Sequence, residues 1–295
     1  MPAPPLELPR PGLRLLAHRA AQWLLRRTGR TVTVTARLFD GQQLRVVLPE
    51  IVAAELHRQG WIEPDVTSML QRHLRPGMVF VDVGAQYGYF ALLAQRLVHP
   101  GGTVVAFEPG RHTLPLLRTN VAGADGVIVE ARAVHERTGA LELTDFGRRH
   151  SALNTVLGDA RVPSADRERL QPSTYTVPTV SLDEYLGERG LVPDVVKLDA
   201  EGAELAIIRG MHETLRSARP IVVMETGDYD GMVSPSTAAC IDVLEAAGYG
   251  CFDYRDDRFV AHERQARYGY GNLFFVPAGR AGEASTGHHR GAEGN

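Results

Sequence analysis

Apolar and polar positions follow two different patterns along the chain, and these patterns alternate repeatedly after residue 78. Short apolar runs bounded by turn residues predict buried strands, whereas apolar residues recurring every three to four positions predict amphipathic helices. The predicted strands are Val79 to Val83, Thr103 to Glu108, Val127 to Ala131, Val195 to Leu198, Ile221 to Glu225, Gly250 to Tyr254 and Asn272 to Val276. The predicted helices are Tyr89 to Leu97, Thr113 to Val121, Ala203 to Ser217 and Ser236 to Ala247. Such alternation is typical of a mostly parallel sheet covered by helices on both faces.

The last two predicted strands break this alternation, because no helix-length apolar period separates Gly250 to Tyr254 from Asn272 to Val276. They are therefore expected to pair as an antiparallel hairpin, whereas an all-parallel dinucleotide-binding sheet would have a crossover helix there. The sequence thus predicts a Rossmann-like α/β fold with a mostly parallel seven-stranded sheet and a C-terminal antiparallel hairpin. An ending of this kind favours the methyltransferase version of the fold.

The residues before the first predicted strand form an extension. Leu13 to Arg30 is an arginine-rich amphipathic stretch, which we interpret as a helix packed on the body of the protein or on a partner, rather than on a membrane surface. Thr31 to Leu48 predicts a hairpin, and Ile51 to Arg75 predicts one helix stopped by Pro76-Gly77. We divide the chain into a helical extension (1–30), a hairpin and helix extension (31–76), the main domain (77–277) and a disordered tail (278–295).

Composition narrows the classes of partner. A formal net charge of −3 argues against a nucleic-acid-binding surface, which would concentrate basic residues, and suits a small or neutral substrate. No apolar run reaches the roughly 20 residues needed to span a bilayer, so a soluble protein is expected. Cys240 and Cys251 are the only cysteines, too few for a disulfide framework, which predicts a cytoplasmic location. The oligomeric state is left open.

A candidate cofactor site follows the first strand of the predicted sheet. Val81 to Phe90 is a strand, a turn and a helix start, in which Gly84 and Gly88 allow the backbone to approach a ligand closely. Glu108 lies at the end of the next strand, where a carboxylate can accept hydrogen bonds from ribose hydroxyls. The alternative is a tight turn beside a solvated glutamate.

Asp82 distinguishes between two nucleotide cofactors. Its carboxylate could hold the ammonium of a methionine moiety but would repel a pyrophosphate. The spacing of Gly84 and Gly88 also differs from the tighter G-x-G-x-x-G of dinucleotide-binding turns. Both points favour S-adenosylmethionine over NAD. Ala133 and Val134, just after the third strand, are expected to flank the adenine ring.

A second cluster of polar residues follows the strand Val195 to Leu198. Asp199 and Glu201 come directly after it, at the carboxyl end of the sheet, where substrates bind. Lys197 shares a strand face with Asp199 and is the only lysine in the chain, which suggests that its compact ammonium is needed. The alternative is a salt bridge at the end of the strand together with capping of the next helix by Asp199 or Glu201.

Methyl transfer to a hydroxyl needs aligned reactants and a group that removes the proton. The candidate bases, in order, are Asp199, Glu201 and Glu225, the last of which ends a predicted strand. His150 is a further candidate, although a histidine in a polar loop is usually solvated. A divalent metal bridging Asp199 and Glu225 is chemically possible, but no spacing requires one.

Several segments between Val79 and Pro277 resemble the FkbM family of methyltransferases. They are VDVGAQYGYF, FEPGRHTLPLLRTN, AVHERTGALEL, HSALNTV, VSLDEYL, VVKLDAEGAELAIIRGM, IVVMET and YGYGNLFFVP. The most specific element is KLDAEGAE, which is similar to the family's K-x-D-x-E-G-x-E signature. The resemblance implies a class I methyltransferase fold and S-adenosylmethionine-dependent O-methylation, often of secondary metabolites or glycans. It also implies cofactor-binding roles for Asp82, Gly84, Gly88 and Glu108, and reaction-site roles for Lys197, Asp199 and Glu201.

Gln86 departs from the resemblance, because the family more often has asparagine at this place in the turn. The glutamine carries the same amide one methylene further out, and Gln86 is retained as a cofactor-binding residue. The loop Asp145 to Thr176 falls outside the specific motifs and is expected to set the choice of substrate.

The favoured function is O-methylation of a hydroxyl on a small molecule, such as a secondary metabolite or a sugar. Three other functions stay open: a methyltransferase acting on nitrogen or on a macromolecule, an NAD-dependent oxidoreductase, and a non-catalytic module that binds S-adenosylmethionine.

Overall fold

The computed structural model describes residues 14–155, 170–228 and 237–280. Its helices are α1 (Arg14–Thr28), α2 (Ile51–Gln59), α3 (Pro64–His73), α4 (Tyr89–Val98), α5 (Leu114–Asn120), α6 (Leu182–Arg189), α7 (Glu204–Arg209), α8 (His212–Ser217) and α9 (Thr237–Ala246), with a short 3-10 helix at Ser151–Leu153. Its strands are β1 (Val32–Arg37), β2 (Gln43–Leu48), β3 (Val79–Val83), β4 (Thr103–Phe107), β5 (Val127–Glu130), β6 (Ala133–Val134), β7 (Gly139–Asp145), β8 (Ser173–Val180), β9 (Val195–Leu198), β10 (Ile221–Thr226), β11 (Tyr249–Arg255), β12 (Arg258–Ala261) and β13 (Gly271–Pro277).

The main sheet has eight strands in the order β12-β11-β13-β10-β9-β3-β4-β5. The strands β10, β9, β3, β4 and β5 run parallel, whereas β13 lies antiparallel between β10 and β11. The chain leaves β3 through β4 and β5 on one side and returns to β9 on the other. The carboxyl ends of β3 and β9 therefore form a topological switch point, where such sheets bind ligands. This topology confirms the Rossmann-like α/β fold.

The C-terminal strands confirm the predicted antiparallel pairing, with Cys251 of β11 opposite Phe275 of β13. The sheet nevertheless has one strand more than expected, because β12 turns back onto β11. Asp256 and Asp257 connect the two strands with positive φ values of 50° and 61°. The usual sequence signal for such a turn includes a glycine, which is absent here, so β12 escaped prediction.

The single helix expected over Ile51 to Arg75 is wrong, because α2 and α3 are separate helices. Gly60 ends α2 in the left-handed conformation, with φ of 82°. Pro64 then starts α3, a position where the missing backbone N–H costs nothing. Gly60 and Pro64 are only four positions apart, and the apolar periodicity continues on both sides of them. The pattern alone therefore did not reveal the boundary between two helices.

A small three-stranded sheet in the order β6-β8-β7 lies apart from the main sheet, and the sequence analysis did not anticipate it. The residue after β6, His135, packs on Gly210, where an added Cβ would lie 2.4 Å from the His135 carbonyl oxygen. The helix expected over Ala203 to Ser217 is divided at this glycine into α7 and α8. That prediction is therefore wrong as well.

The N-terminal hairpin and helices bury their apolar side chains in the same core as the main sheet. Ala36 and Leu44 of the hairpin, Leu56 of α2 and Met69 of α3 belong to one buried cluster that includes Phe80 of β3. The antiparallel pairing of β1 with β2 confirms the predicted hairpin. Residues 31–76 therefore share one hydrophobic core with the first strand of the main domain.

Helix α1 occupies most of the predicted amphipathic stretch. Leu25 packs against the core and Gln22 is buried, whereas Trp23 and Leu24 are exposed by 61% and 54%. None of the helices in the described part of the chain has the length and apolar character of a membrane-spanning helix. Nearly all of the predicted tail, 278–295, lies outside the described residues, and the division into domains stays a prediction.

Candidate functional site

The carboxyl ends of β3, β4, β9 and β10 border one cavity of about 380 Å³, which we call the central cavity. Asp82 is buried and does not line it, Gly88 caps the start of α4, and His150 lines a neighbouring cavity instead. The predicted site residues that line it are Gly84, Gln86, Glu108, Ala133, Lys197, Asp199, Glu201 and Glu225. The fold therefore brings the predicted cofactor cluster and the predicted chemical cluster together.

The turn after β3 is held close to β9. Gly84 has φ of +86°, and an added Cβ would lie only 1.8 Å from the carbonyl oxygen of Asp199. The amides of Gly84 and Ala85 both donate to the carbonyl oxygen of Phe107, at 3.0 Å each. At Gly88, with φ of +89°, a Cβ would lie 2.6 Å from Leu117 Cδ1. The glycines are thus required by close protein packing, and their expected approach to a ligand stays a prediction.

Glu108 is buried at the end of β4, and most of its hydrogen-bonding capacity is used. Its Oε2 accepts from the Gln86 amide at 2.8 Å, and its Oε1 accepts from the Gly110 amide at 2.7 Å and from Thr113 Oγ1 at 2.8 Å. Burial raises the pKa of this carboxyl, although these hydrogen bonds oppose the shift. A carboxylate has about four lone-pair sites, so Glu108 keeps room for about one further donor.

Asp82 carries a buried carboxylate without hydrogen-bond partners. Neither carboxylate oxygen of Asp82 has a hydrogen-bond partner among the described residues, and the residue is 1% exposed. Burial raises its pKa to about 7, while Lys197, opposite it in the β3–β9 pairing, opposes the shift. A polar group buried without a partner costs free energy. Its expected contact with a methionine ammonium stays a prediction.

Lys197 lies at the centre of the charged groups. Its Nζ lies 2.7 Å from Asp199 Oδ2, 3.7 Å from Glu63 Oε2 and 4.7 Å from the centre of the Phe90 ring. Burial by itself lowers the pKa of Lys197, but the carboxylates of Asp199, Glu63 and Asp82 outweigh it and raise the pKa above its ordinary value. Lys197 therefore holds a stable positive charge that orients Asp199.

Glu63 is a site residue that sequence reasoning missed. It precedes α3 with φ of 42°, lines the central cavity and is the second carboxylate beside Lys197. Burial raises its pKa to about 7, Lys197 opposes the shift, and Asp199 adds to it. The only sequence signal is a glutamate directly before Pro64 at a helix start, which does not reveal that the side chain reaches β9.

Three carboxylates cluster at the carboxyl ends of β9 and β10, where Asp199 lies beside the turn after β3. One oxygen from each of Asp199, Glu201 and Glu225 lies within 4.8 Å of the others. Burial and the neighbouring Asp199 raise the pKa of Glu225 well above its ordinary value. Such a group accepts a proton more readily than an ordinary carboxylate. The spacing would also suit a divalent cation, but acidic clusters are common without one, and nothing else in the described ranges points to a metal.

The alternative interpretation of Asp199 and Glu201 combines a salt bridge at the strand end with capping of the next helix, and the described part of the chain contains only the first. The strand-end salt bridge is present, between Lys197 and Asp199. The expected helix capping is not, because α7 begins at Glu204 without a side-chain cap. Instead the Glu204 carboxylate accepts hydrogen bonds from the amides of Ala200 and Gly202, between 3.0 and 3.2 Å, and shapes the loop itself. This leaves Asp199 and Glu201 without a capping role at that helix.

Ala133 and Val134 form the short strand β6 and line the cavity together with Leu143. Ala133 is 6% exposed and Val134 is 4% exposed, so this wall is apolar and closed to solvent. Such a wall suits a flat aromatic ring, as expected for adenine. That assignment stays a prediction.

The central part of the chain matches a known protein family. Residues 82–251 match a family model described as the methyltransferase FkbM domain. The matched part is more than half of the 295 residues. It contains the carboxyl ends of all the strands that border the central cavity.

Three curated proteins are similar to this chain over most of their own length. The 31-O-demethyl-FK506 methyltransferase FkbM of Streptomyces tacrolimicus is 29% identical over 215 residues, covering 64% of this chain and 79% of that protein. The hexuronic acid methyltransferase AglP of Haloferax volcanii is 26% identical over 208 residues, covering 70% and 80%. The 2-O-methyltransferase NoeI of Sinorhizobium fredii is 27% identical over 199 residues, covering 64% and 76%.

Proposed function

Because the chain belongs to the FkbM methyltransferase family, it is an S-adenosylmethionine-dependent methyltransferase, and we propose that it methylates a hydroxyl oxygen of a small molecule, such as a sugar or a secondary metabolite. The observation that carries the proposal is the group of carboxylates Asp199, Glu201 and Glu225 beside Lys197 in the central cavity. The names of two similar proteins, a 31-O-demethyl-FK506 methyltransferase and a 2-O-methyltransferase, support oxygen as the acceptor atom.

The charge of the central cavity fits the cofactor. Lys197 is the one cation that interacts with Asp82, Glu63, Asp199 and Glu225 in the described residues. Carboxylates therefore outnumber ammonium groups there, and a ligand with positive charge relieves the imbalance. S-adenosylmethionine carries such charge on its sulfonium and its ammonium. A dinucleotide with a negatively charged pyrophosphate would add to the imbalance.

The residues proposed to hold the cofactor come from three strand ends. They are Asp82, Gly84, Gln86 and Gly88 around the turn after β3, Glu108 after β4, and Ala133 in β6. When bound, S-adenosylmethionine supplies a methyl group that its sulfonium already activates. The chain itself then has to orient the acceptor hydroxyl, exclude water and remove a proton.

We assign the removal of the hydroxyl proton to the carboxylates of Asp199, Glu201 and Glu225. Burial and the neighbouring Asp199 raise the pKa of Glu225, which supports uptake of a proton by this group of carboxylates. Lys197 fixes the orientation of Asp199 through the 2.7 Å ion pair. The proposal includes no metal.

Three further expectations belong to the same proposal. The net charge of −3 supports a small acceptor in place of a nucleic acid. The cysteines Cys240 and Cys251 are both free thiols, which supports a reducing, cytoplasmic compartment. The extension 31–76 serves the domain 77–277, because it supplies Glu63 to the central cavity.

The test combines binding with turnover. Calorimetric titration with S-adenosylhomocysteine, with NAD in parallel, should show binding of the former alone. Transfer of a labelled methyl group from S-adenosylmethionine should then be screened against paired acceptors that differ only in carrying a hydroxyl or an amine. Methylation of the amines but not the hydroxyls would refute the assignment to oxygen.

A matched pair of variants tests the site. Asp199→Asn should retain cofactor binding and lose turnover, whereas Asp242→Asn, on the exposed face of α9, should retain both. If Asp199→Asn transferred methyl groups at the parent rate, the carboxylates would not be the site of proton removal.

A further inference from the structure

A second cavity of about 530 Å³ is built from three separate parts of the chain, and we call it the basic cavity. Arg26 comes from the last turn of α1, and Glu50 and Ile51 come from the start of α2. Arg149 and His150 come from the segment before the short 3-10 helix. The FkbM domain match begins at residue 82, so part of this cavity is formed by the N-terminal extension.

The basic and central cavities share a wall. Ile51 from α2 lines both, and so do Ala152 and Leu153 of the 3-10 helix. The shared residues are small or apolar, and Ile51 is 63% exposed. A ligand that extends out of the central cavity past this wall would therefore contact the basic cavity next.

The charge facing the basic cavity is positive. Among the described residues that line it, Glu50 is the one acidic side chain. It is fully buried, and its two oxygens accept backbone amides in the first turn of α2, at 3.1 and 2.8 Å. That carboxylate is therefore already occupied and turned away from solvent. Within the described part of the chain, Arg26 and Arg149 are left to set the charge that a ligand would meet.

The two guanidinium groups have unused donors. Arg149 Nη2 donates to the backbone carbonyl oxygen of Arg26 at 3.2 Å, and its buried Nε has no acceptor among the described residues. The Arg26 side chain makes neither a hydrogen bond nor an ion pair with any residue in the described ranges. Guanidinium groups pair with carboxylates and phosphates through parallel N–H bonds, so these free donors suit an oxyanion.

We propose that the basic cavity binds an anionic group, a carboxylate or a phosphate, on the same acceptor molecule whose hydroxyl is methylated in the central cavity. The claim that the anionic ligand is also the methyl acceptor rests on the proposed function. The claim that the basic cavity binds an anion does not. The acceptor is thus a hydroxylated acid or phosphate ester, and the cavity selects it against neutral molecules of the same shape. Arg26 and Arg149 are specificity residues that do not touch the reacting atoms.

The first experiment measures binding without turnover. The full chain loaded with S-adenosylhomocysteine is titrated with glucuronate, glucose, glucose 6-phosphate and, at equal ionic strength, inorganic phosphate and chloride, and thermal stabilisation is recorded. We expect glucuronate or the phosphates to stabilise the protein and glucose and chloride to have no effect. Preference for glucuronate would identify a carboxylate acceptor, and preference for the phosphates a phosphorylated one. No stabilisation by any anion would overturn the inference.

Variants localise the effect. Arg26→Gln and Arg149→Gln should each weaken anion binding at least tenfold and leave the affinity for S-adenosylhomocysteine unchanged. Arg148→Gln is the matched control, because this neighbouring exposed arginine donates to Thr33 instead of lining the cavity. Arg26→Gln breaks no side-chain hydrogen bond or ion pair within the described residues, so its Tm without ligand should equal that of the parent. Equal anion binding in the parent and both variants would overturn the inference.

Turnover separates this inference from the proposed function. With an anionic acceptor found by the screen, both variants should raise KM at least tenfold with little change in kcat. Methylation of neutral hydroxyl compounds as efficiently as anionic ones, in parent and variants alike, would overturn the inference and leave the proposed function intact. Anion binding that depends on Arg26, without methyl transfer to any hydroxyl, would overturn the proposed function and leave the anion site intact.

Discussion

The unpartnered carboxylate of Asp82 predicts that Asp82→Asn makes the protein more stable, and more so as pH rises. The substitution keeps the size and shape of the side chain, replaces one carboxylate oxygen with an NH2 group and removes the ability to ionise. The aspartate pKa is raised to about 7 in the folded protein, first by burial, whereas it is about 3.9 in an unfolded chain. Lys197 keeps its 2.7 Å ion pair with Asp199 in the variant.

The sign and size of the effect follow from these two pKa values. Below about pH 4 the carboxyl is protonated in both states, and the variant gains nothing. Between about pH 4 and about pH 7 the unfolded chain releases its proton while the folded protein keeps it, so the parent loses stability as pH rises. The difference of about three pKa units at about 1.36 kcal/mol each amounts to about 4 kcal/mol above pH 7, as an upper limit.

The assay is thermal unfolding of the parent and Asp82→Asn between about pH 4 and pH 9, with Asp242→Asn as control. A difference of about 4 kcal/mol corresponds to a rise in Tm on the order of 10 °C for a chain of this size. Asp242 is exposed and pairs with Arg264, so the Tm difference between Asp242→Asn and the parent should not increase with pH in this way. A Tm difference that does not depend on pH, or a variant less stable at pH 8, would refute the reasoning. If the carboxylate is kept for the cofactor, the more stable variant should also bind S-adenosylhomocysteine more weakly.

The remaining predictions concern the turn after β3 and two carboxylates of the central cavity. Gly84→Ala should lower the Tm far more than Gly41→Ala. Both glycines have φ near +90°, but only at Gly84 would a Cβ meet backbone, 1.8 Å from the Asp199 carbonyl oxygen. Left-handed strain alone costs about 1–2 kcal/mol, and equal decreases in Tm for the two variants would contradict this prediction. Glu225 has a raised pKa, so kcat should fall as pH falls through a value above the ordinary glutamate range. Glu225→Gln should lower kcat and flatten that limb of the pH profile, and an unchanged limb would exclude Glu225 as proton acceptor. Glu63→Gln should lower kcat with little change in S-adenosylhomocysteine affinity, because the buried lysine loses one of its two ion pairs. Calorimetry measures the affinity and steady-state kinetics measures kcat, and full activity would assign Glu63 a structural role only.

Most of the regular structure followed from local patterns. Strands such as β3 and β9 are short apolar runs bounded by turns, so their positions could be read from residues close together in the sequence. The parallel order then required the ends of these strands to meet at one edge of the sheet. This is why the sequence indicated Glu108 as a cofactor-site residue and Lys197, Asp199 and Glu225 as reaction-site residues.

The sequence by itself therefore determined the fold class and the residues that follow each strand, because these depend on periodicity and on the direction of parallel strands. Only the tertiary structure decided how the site is charged and enclosed. Glu63 reaches Lys197 from the N-terminal extension, and Gly84 packs on the Asp199 carbonyl, through contacts between segments distant in the chain. The raised pKa of Asp82 likewise depends on burial by several elements at once. Desolvation and close packing are properties of the assembled core, and no local pattern of residues encodes them.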